Sequence, residues 1–443
     1  MANNSEKGFS FKGIIRKFNN SGGIDIWFLA IVLCLLGIGL IMMFSASYPS
    51  ALALDGDSTL YIRYQAIYAV IGIIAMLFFS KIKPDFWRWK LIPYAVFAGS
   101  IFLLLIVFVL PQYKPGFYRW IDLGFTTFQP SELAKFAVIV AGAYIYGKYG
   151  KKMSTKKAVK SGLGGKINNK LGMGLVRESW IPTWMFCGYF GLTAVLVFLE
   201  NHLSGCILIF ALGVFMMFLG GVRARWFAAG IAVVLAAVLI VCVPIYSAIQ
   251  EKNEKLASGE ITQSEADEYV ENEASSGILK GYMVRRIIGW LDKDFDPLGD
   301  RWQPNQGLYA IGSGGFFGKG LGNSTQKYMY VSEPQNDMIF SIVCEELGFV
   351  GAALIILLFA LLVWRGITIG LNAKTKFSSL LAMGLVLQVG LQAILNIAVA
   401  SDSIPNTGIS LPFFSYGGTS LIVLLAEMGI ILGVSRDSRL NKK

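Results

Sequence analysis

Apolar residues run along this chain in long blocks separated by short polar stretches. Ten blocks stand out, at about 24–46, 61–80, 91–111, 131–147, 180–199, 203–221, 226–248, 338–364, 378–400 and 409–434. At 1.5 Å rise per residue, roughly 20 apolar residues in a helix cross the ~30 Å hydrocarbon core of a bilayer. The pattern predicts an all-α polytopic membrane protein with ten transmembrane helices. One large polar segment, 249–337, separates the seventh helix from the eighth. The predicted layout is a short N-terminal segment (1–23), a membrane domain (24–436) and a short tail (437–443). Ten crossings put both termini on one side of the membrane.

Composition supports this reading. The chain is 55% hydrophobic and 15% charged, against about 25% charged residues in a soluble domain. The net charge of +11 is an orientation signal. The N-terminal segment and the loops 81–90, 148–178, 222–225 and 365–377, with the tail, hold 26 of the 39 Lys and Arg residues. Short basic loops mark the cytoplasmic face, so both termini are predicted to be cytoplasmic and 249–337 extracellular. The same charge attracts anionic membrane lipids and gives no reason to expect nucleic acid. The five cysteines lie in apolar blocks with no metal-ligand spacing, which points to buried free thiols. The first block is too long for a cleaved signal peptide and is read as a retained helix.

The 249–337 segment divides into parts. Residues 251–273 hold eight acidic side chains and two lysines, the pattern of a solvated helix or a mobile insertion. Tyr282, Met283, Ile287, Ile288, Trp290 and Leu291 then recur at helical spacing beside Arg285 and Arg286, as in a helix lying in the membrane interface. After a turn at Asp294–Gly299 comes the glycine-rich run 312–323. It lacks the Walker A spacing, leaving an anion cradle or a plain loop.

Candidate chemistry sits where polar residues meet these blocks. Asp337, in Glu333-Pro334-Gln335-Asn336-Asp337, stands at the first turn of the eighth block. It can cap that helix or act as a reactive carboxylate. Near a helix N-terminus its pKa is expected to be low. Glu132 and Lys135 open the fourth block at i and i+3 and can pair on one face. The bland reading is a helix start with a neutralised acid; the functional one is a cation facing an anion. Arg119 beside Trp120 is either a membrane anchor or a second cation for that anion. Glu345, Glu346 and Glu427 are ionisable groups inside spans, where each is costly. Gln388, Gln392 and Asn396 form an i, i+4, i+8 stripe suited to helix–helix hydrogen bonds. His202, the single histidine, has no second imidazole with which to bind metal. Ser403–Gly408 and Pro412–Ser420 read as breaks, which at membrane depth line a protein-walled or wet cavity. An outward pocket with cations on one wall and a carboxylate on another suits an anionic lipid head group.

The motifs Arg119-Trp120-Ile121-Asp122, Phe128 through Lys135, Gly318 through Ser324, Pro334-Gln335-Asn336-Asp337, Glu345-Glu346-Leu347-Gly348 and Pro412 through Ser420 together resemble the SEDS family of bacterial cell-wall proteins, the FtsW, RodA and SpoVE group. The match covers nearly all of 24–436, and the Pro-Glx-x-x-Asp and Gly-Leu-Gly-Asn-Ser forms look more like FtsW and SpoVE than RodA. The resemblance implies a multi-pass protein of the bacterial cytoplasmic membrane that polymerises lipid II into glycan strands. Its implied partners are a class B penicillin-binding transpeptidase and other division or elongation proteins. It also implies that Asp337 is the essential extracellular aspartate. Arg119, Glu132 and Lys135 fall on polar cavity positions, with Lys319, Ser415 and Tyr416 as further substrate-binding candidates. Three departures stand out: Asn201 through Gly205 for Gln-Pro-Asp-Leu-Gly, Asn336 before the aspartate, and Arg301-Trp302-Gln303 for Gly-Tyr-Gln.

The chemistry then expected is a single displacement. A sugar hydroxyl, deprotonated by Asp337, attacks the anomeric carbon of a polyprenyl-pyrophosphate sugar. Lys135 and Arg119 meet the charge on the departing pyrophosphate. The reaction requires no cofactor and admits a divalent cation, Mg or Mn. A lipid II flippase, to which ten spans, broken helices and buried acids also belong, and a non-catalytic scaffold for a transpeptidase are the competing readings.

Overall fold

The computed structural model describes residues 22–110, 119–124, 126–153, 180–222, 224–275 and 282–439. Within them the protein is a helical bundle. Seven helices are long and apolar enough to cross a membrane: α1 (Ile26–Asp55), α2 (Leu60–Ser80), α6 (Trp180–Leu199), α7 (Leu203–Gly220), α12 (Ile339–Leu371), α13 (Lys376–Ala400) and α14 (Gly418–Arg436). The other three predicted spans fall on α4 (Leu91–Ile106), which is apolar but shorter, α5 (Pro130–Met153) and α8 (Ala224–Ser258). A single turn, α3 (Pro84–Arg88), joins α2 to α4. Lys7 to Lys17, most of the basic 148–178 loop, Arg223 and Lys442–Lys443 lie outside the described residues.

The centre of the bundle is α13, whose buried residues surround its axis and which packs against α5, α7, α12 and α14. Helices buried all round are apolar all round, and here the exceptions, Gln388, Gln392 and Asn396, are all buried. Outer helices such as α2 keep one buried stripe, with Ile67, Ile71, Ile74 and Phe78 exposed. Small residues let helices approach: a Cβ on Gly429 of α14 would collide with the Met76 backbone of α2.

Both ends of the described chain meet at one end of the bundle. The Asp25 carboxylate caps α1 through the N–H of Phe28, 2.9 Å away, and pairs with Arg365 of α12 at 2.7 Å. Arg436 donates to the carbonyl of Gly22 at 2.6 Å. The 249–337 segment lies at the opposite end, called the loop end below.

The acidic stretch is folded rather than mobile. Helix α8 runs on to Ser258, and α9 (Gln263–Ser275) turns back against it. Helix α10 (Tyr282–Leu291) then buries Val284 and Ile288 against Ile245, Ala248, Ile249 and Val270. The expected interfacial helix therefore covers much of its apolar face with protein. Two charge knots hold the unit: buried Lys252 between Asp267 and Asp292, 2.8 Å from each, and Arg285 among Glu271, Asp296 and Asp300.

The glycine-rich run is not the plain loop that its composition allowed. It follows α11 (Trp302–Gly314) and plugs a break in α12. Gly348 has φ 65° and ψ −169°, which only glycine adopts without strain. Glu345 and Glu346 carbonyls there accept from Lys319 and Gly320 N–H at 2.9 and 3.0 Å, while Phe349 N–H reaches Gly315 O at 2.9 Å. The two carboxylates complete the clamp. Glu345 pairs with Lys319 at 2.6 Å, and Glu346 pairs with Lys327 at 2.8 Å and accepts from Ser45 of α1 at 2.7 Å.

Candidate active site at the loop end of α13

Three polar pairs lie along α13, each one turn, or about 6 Å, beyond the last. Deepest, Gln388 donates to Glu427 of α14 at 3.0 Å. Next, Gln392 accepts from the Lys135 ammonium at 3.0 Å and donates to the Ser410 carbonyl at 3.1 Å. Nearest the loop end, Asn396 donates to the backbone carbonyls of Asp337 and Ile409, both at 2.7 Å. The stripe thus does more than glue helices: it sets Lys135 and Asp337 one turn apart in depth.

Lys135 is positioned locally as well. A two-residue hairpin pairs Ile121 with Phe128 and Asp122 with Thr127, and it delivers the chain to Pro130 at the start of α5. Proline suits a first helical turn, where its missing N–H has no acceptor to lose. From that turn Glu132 reaches Lys135 at 2.8 Å, as the i, i+3 spacing predicts. Both are largely buried, with Lys135 4% and Glu132 13% exposed at the side chain. A buried pair of this kind needs further hydrogen bonds to offset desolvation, and Gln392 supplies one.

Asp337 sits in the turn before α12 and is half-buried. Met338, not Asp337, occupies the N-cap position of that helix. Burial pushes the Asp337 carboxyl above the usual carboxylate range; the Arg286 guanidinium and the N–H groups of Asp337 and Met338 pull the other way. The low value expected from the helix terminus is therefore overturned, because desolvation outweighs the dipole at this depth. A carboxylate with raised proton affinity is a better base.

The rim comes from the 409–420 break. Ser415 Oγ accepts from Leu411 N–H and donates to the Asn336 carbonyl, both at 2.7 Å, and Tyr416 N–H donates to Gln335 O at 2.8 Å. Both candidates therefore fix the Gln335–Asp337 turn through its backbone. Gln65 of α2 steadies the rim in turn, donating to the Ser415 carbonyl at 3.2 Å. Between α5, α13 and this rim lies a cavity of about 20 Å³ touched by Glu132, Gln388, Gln392 and Ser415, room for one or two waters.

Arg119 stacks its guanidinium 5.2 Å from the Trp120 ring. Its charge acts on Glu200 and His202 at the α6–α7 turn, and the Lys135 charge also reaches His202. Glu200 is fully buried, and among the described residues neither carboxylate oxygen has a hydrogen-bond partner. Burial raises its pKa to about 8, opposed by Arg119. His202, near Ser131 Oγ at 3.3 Å, is held neutral: burial, then Arg119 and Lys135, lower its pKa to about 3. Lys319 differs from the other candidates, since its ammonium belongs to the Glu345 clamp. Sequence reasoning missed Gln65, a lone amide in an apolar helix, and the influence of Arg286 on Asp337. No group of three His, Cys, Asp or Glu side chains suited to a metal occurs among the described residues.

A multi-helix bundle with a buried Glu132–Lys135 ion pair and the Asp337 carboxyl toward its loop end defines a multi-pass membrane protein with a polar, charged interior. Comparison with known proteins narrows this class. Residues 26–440 match the model of the FtsW, RodA and SpoVE cell cycle proteins, and the chain belongs to that family. It is 33% identical over 419 residues to stage V sporulation protein E of Bacillus subtilis, covering 94% of this chain and 98% of the relative. It is equally 33% identical over 420 residues to a protein named "Probable peptidoglycan glycosyltransferase FtsW" from Geobacter sp. strain M18, with the same coverage, 94% and 98%. Among solved structures, a chain in work titled "Structural coordination of polymerization and crosslinking by a peptidoglycan synthase complex" superposes with TM-score 0.64 at 23% identity, covering 94% of this chain and 98% of that one. The rod shape determining protein RodA of Thermus thermophilus gives 0.57 at 21%, covering 94% and 98%. At those identities the solved structures establish the fold.

Proposed function

We propose that this protein is a peptidoglycan glycosyltransferase that polymerises lipid II at the outer face of the bacterial cytoplasmic membrane. On this reading all ten helices cross the bilayer, both termini are cytoplasmic and 249–337 is extracellular. The observation that carries the proposal is Asp337: its carboxyl has raised proton affinity, and its backbone carbonyl is held by Asn396, one helical turn along α13 from the Gln392 that holds the Lys135 ammonium. The names of the relatives, and a fold shared with a chain of a peptidoglycan synthase complex, support it.

On this reading the reaction is a single displacement. The Asp337 carboxylate takes the proton of a sugar hydroxyl as the oxygen attacks the anomeric carbon of a polyprenyl-pyrophosphate sugar. A C–O bond forms, the bond to pyrophosphate breaks, and the leaving group departs with the electron pair. Lys135, held by Glu132 and Gln392, faces that charge together with Arg119; fixed cations in a dry site stabilise it without reorganisation. Ser415 and Tyr416 keep the Asp337 turn in register, and Lys319 holds the loop plugged into α12. A class B penicillin-binding transpeptidase is the proposed partner for crosslinking. A divalent cation would arrive with the pyrophosphate.

The test is polymerisation of lipid II by the purified protein beside translocation of fluorescent lipid II in proteoliposomes. Glycan polymer without translocation supports the transferase. Translocation without polymer, in the presence of the transpeptidase, makes the protein a flippase.

A further inference from the structure

A second cleft lies outward of Asp337. It encloses about 170 Å³ between α10, the start of α11 and the 402–406 turn that follows α13. Cavities of about 150 Å³ are large enough for a six-membered ring. Trp290, Trp302, Arg286, Arg301, Gln303 and Asn406 are among the residues that line it.

These walls are built rather than accidental. Arg301 is buried and grips the Asp402 carboxylate with two nitrogens, both at 3.0 Å. Trp290 donates its indole N–H to Asp402 O at 3.1 Å, and Trp302 donates to Tyr330 O at 2.8 Å. Gln303 bridges the elements, donating to Ser332 O at 3.1 Å and accepting from Asn406 at 3.3 Å. With both indole N–H groups engaged, the rings are fixed in orientation. Rigid aromatic planes beside planar amides and guanidiniums suit a ligand with one apolar face and a rim of hydroxyl and amide groups. An aminosugar ring has that character.

The cleft also stands where a glycan must pass. Arg286 links the two sites: it donates to the Asn406 carbonyl, and its charge acts on Asp337. Gly408, two residues past Asn406, lies against the Asp337 carboxylate; a Cβ there would sit 3.7 Å from Oδ2. Along α13 the order from depth to surface is Lys135 at Gln392, Asp337 at Asn396, then Asp402 beyond the helix end. If pyrophosphate leaves on the Lys135 side, sugars beyond the reacting linkage extend toward Asp402.

We infer that the cleft bounded by Trp290, Trp302, Gln303 and Asn406 is a binding subsite for an N-acetylated sugar of the glycan strand, outward of the reacting linkage. The inference rests on the transferase reading above and adds where the strand is gripped. A strand held at a second point stays bound between additions, so this subsite governs product length.

The experiment is a titration of the full-length protein with a soluble β-1,4-linked N-acetylated aminosugar tetrasaccharide, read by tryptophan fluorescence quenching. It uses wild type, Asp337→Asn, Trp302→Ala and Gln303→Ala, each checked for an unchanged unfolding midpoint. Gln303→Ala guards against misfolding of the tryptophan variant. Saturable binding to wild type and Asp337→Asn, weakened at least tenfold in both cleft variants, with shorter glycans from the latter, is the expected result. Equal binding by cleft variants and wild type, or none by wild type, overturns the subsite. Polymerisation by Asp337→Asn alongside cleft-dependent binding would refute the catalytic role of Asp337 and leave the subsite standing.

Discussion

Replacing Lys135 by methionine keeps most of the side-chain volume and removes the ammonium. Glu132 loses its 2.8 Å partner and Gln392 loses the donor to its side-chain oxygen. With 4% and 13% side-chain exposure, no more than the one or two waters that fit the adjoining cavity can stand in for the missing ammonium. Breaking one partner of a buried ion pair costs about 3–5 kcal/mol, since the remaining charge stays desolvated. The double variant Glu132→Gln, Lys135→Met removes both charges and is expected to recover most of that loss. Activity follows a different rule: loss of one fixed donor to a developing anion costs about 10²–10³ in rate, and the double variant restores none of it. Stability is read by denaturant unfolding in detergent, activity by glycan yield. A single variant within about 1 kcal/mol of wild type, or a double no more stable than the single, would refute the reasoning.

Further expectations concern protons and backbone. Asp337 has a raised pKa from burial, so its ionised form weakens the folded state; Asp337→Asn should unfold no more easily than wild type at pH 7 while losing activity, as strained active sites often do. Glu200, whose pKa is raised from 4.5 to about 8, is protonated at neutral pH, so the stability it contributes at low pH is lost progressively as pH rises from about 4.5 to about 8 and the loss levels off above that. Glu200→Gln should flatten that step in an unfolding-versus-pH series. Gly348→Ala places a side chain at φ 65° against the Gly318 backbone. Strain of about 1–3 kcal/mol plus the clash should open the α12 clamp, visible as faster proteolysis within 315–330.

Local patterns were legible in the sequence. Seven of the apolar blocks became helices long and apolar enough to cross a membrane, the i, i+3 spacing of Glu132 and Lys135 became an ion pair, and Asp337 stands in the turn just before α12. What escaped was long-range. Lys135 meets Gln392 across 257 residues of chain, and Glu346 meets Ser45 across 301; no periodicity carries such pairings. The stripe on α13 was visible as polar, but its partners, Glu427, Lys135 and the Asp337 carbonyl, are set by how four helices pack. For the acidic 251–273 stretch a solvated helix and a mobile insertion were both open; it is helical with most of its acids exposed, and what escaped was its anchor, Lys252, one buried cation between acids 15 and 40 residues away. The proton affinity of Asp337 was misjudged for the same reason: the helix dipole is a local property, whereas burial depends on the whole bundle.

The central claim is that Asp337 takes a proton during glycosyl transfer. Its most direct test compares glycan polymer from lipid II made by wild type and Asp337→Asn, each purified with its transpeptidase and matched for unfolding midpoint. The account predicts long polymer from wild type and none from the asparagine variant. Polymer of equal yield from a fully folded Asp337→Asn protein would contradict it.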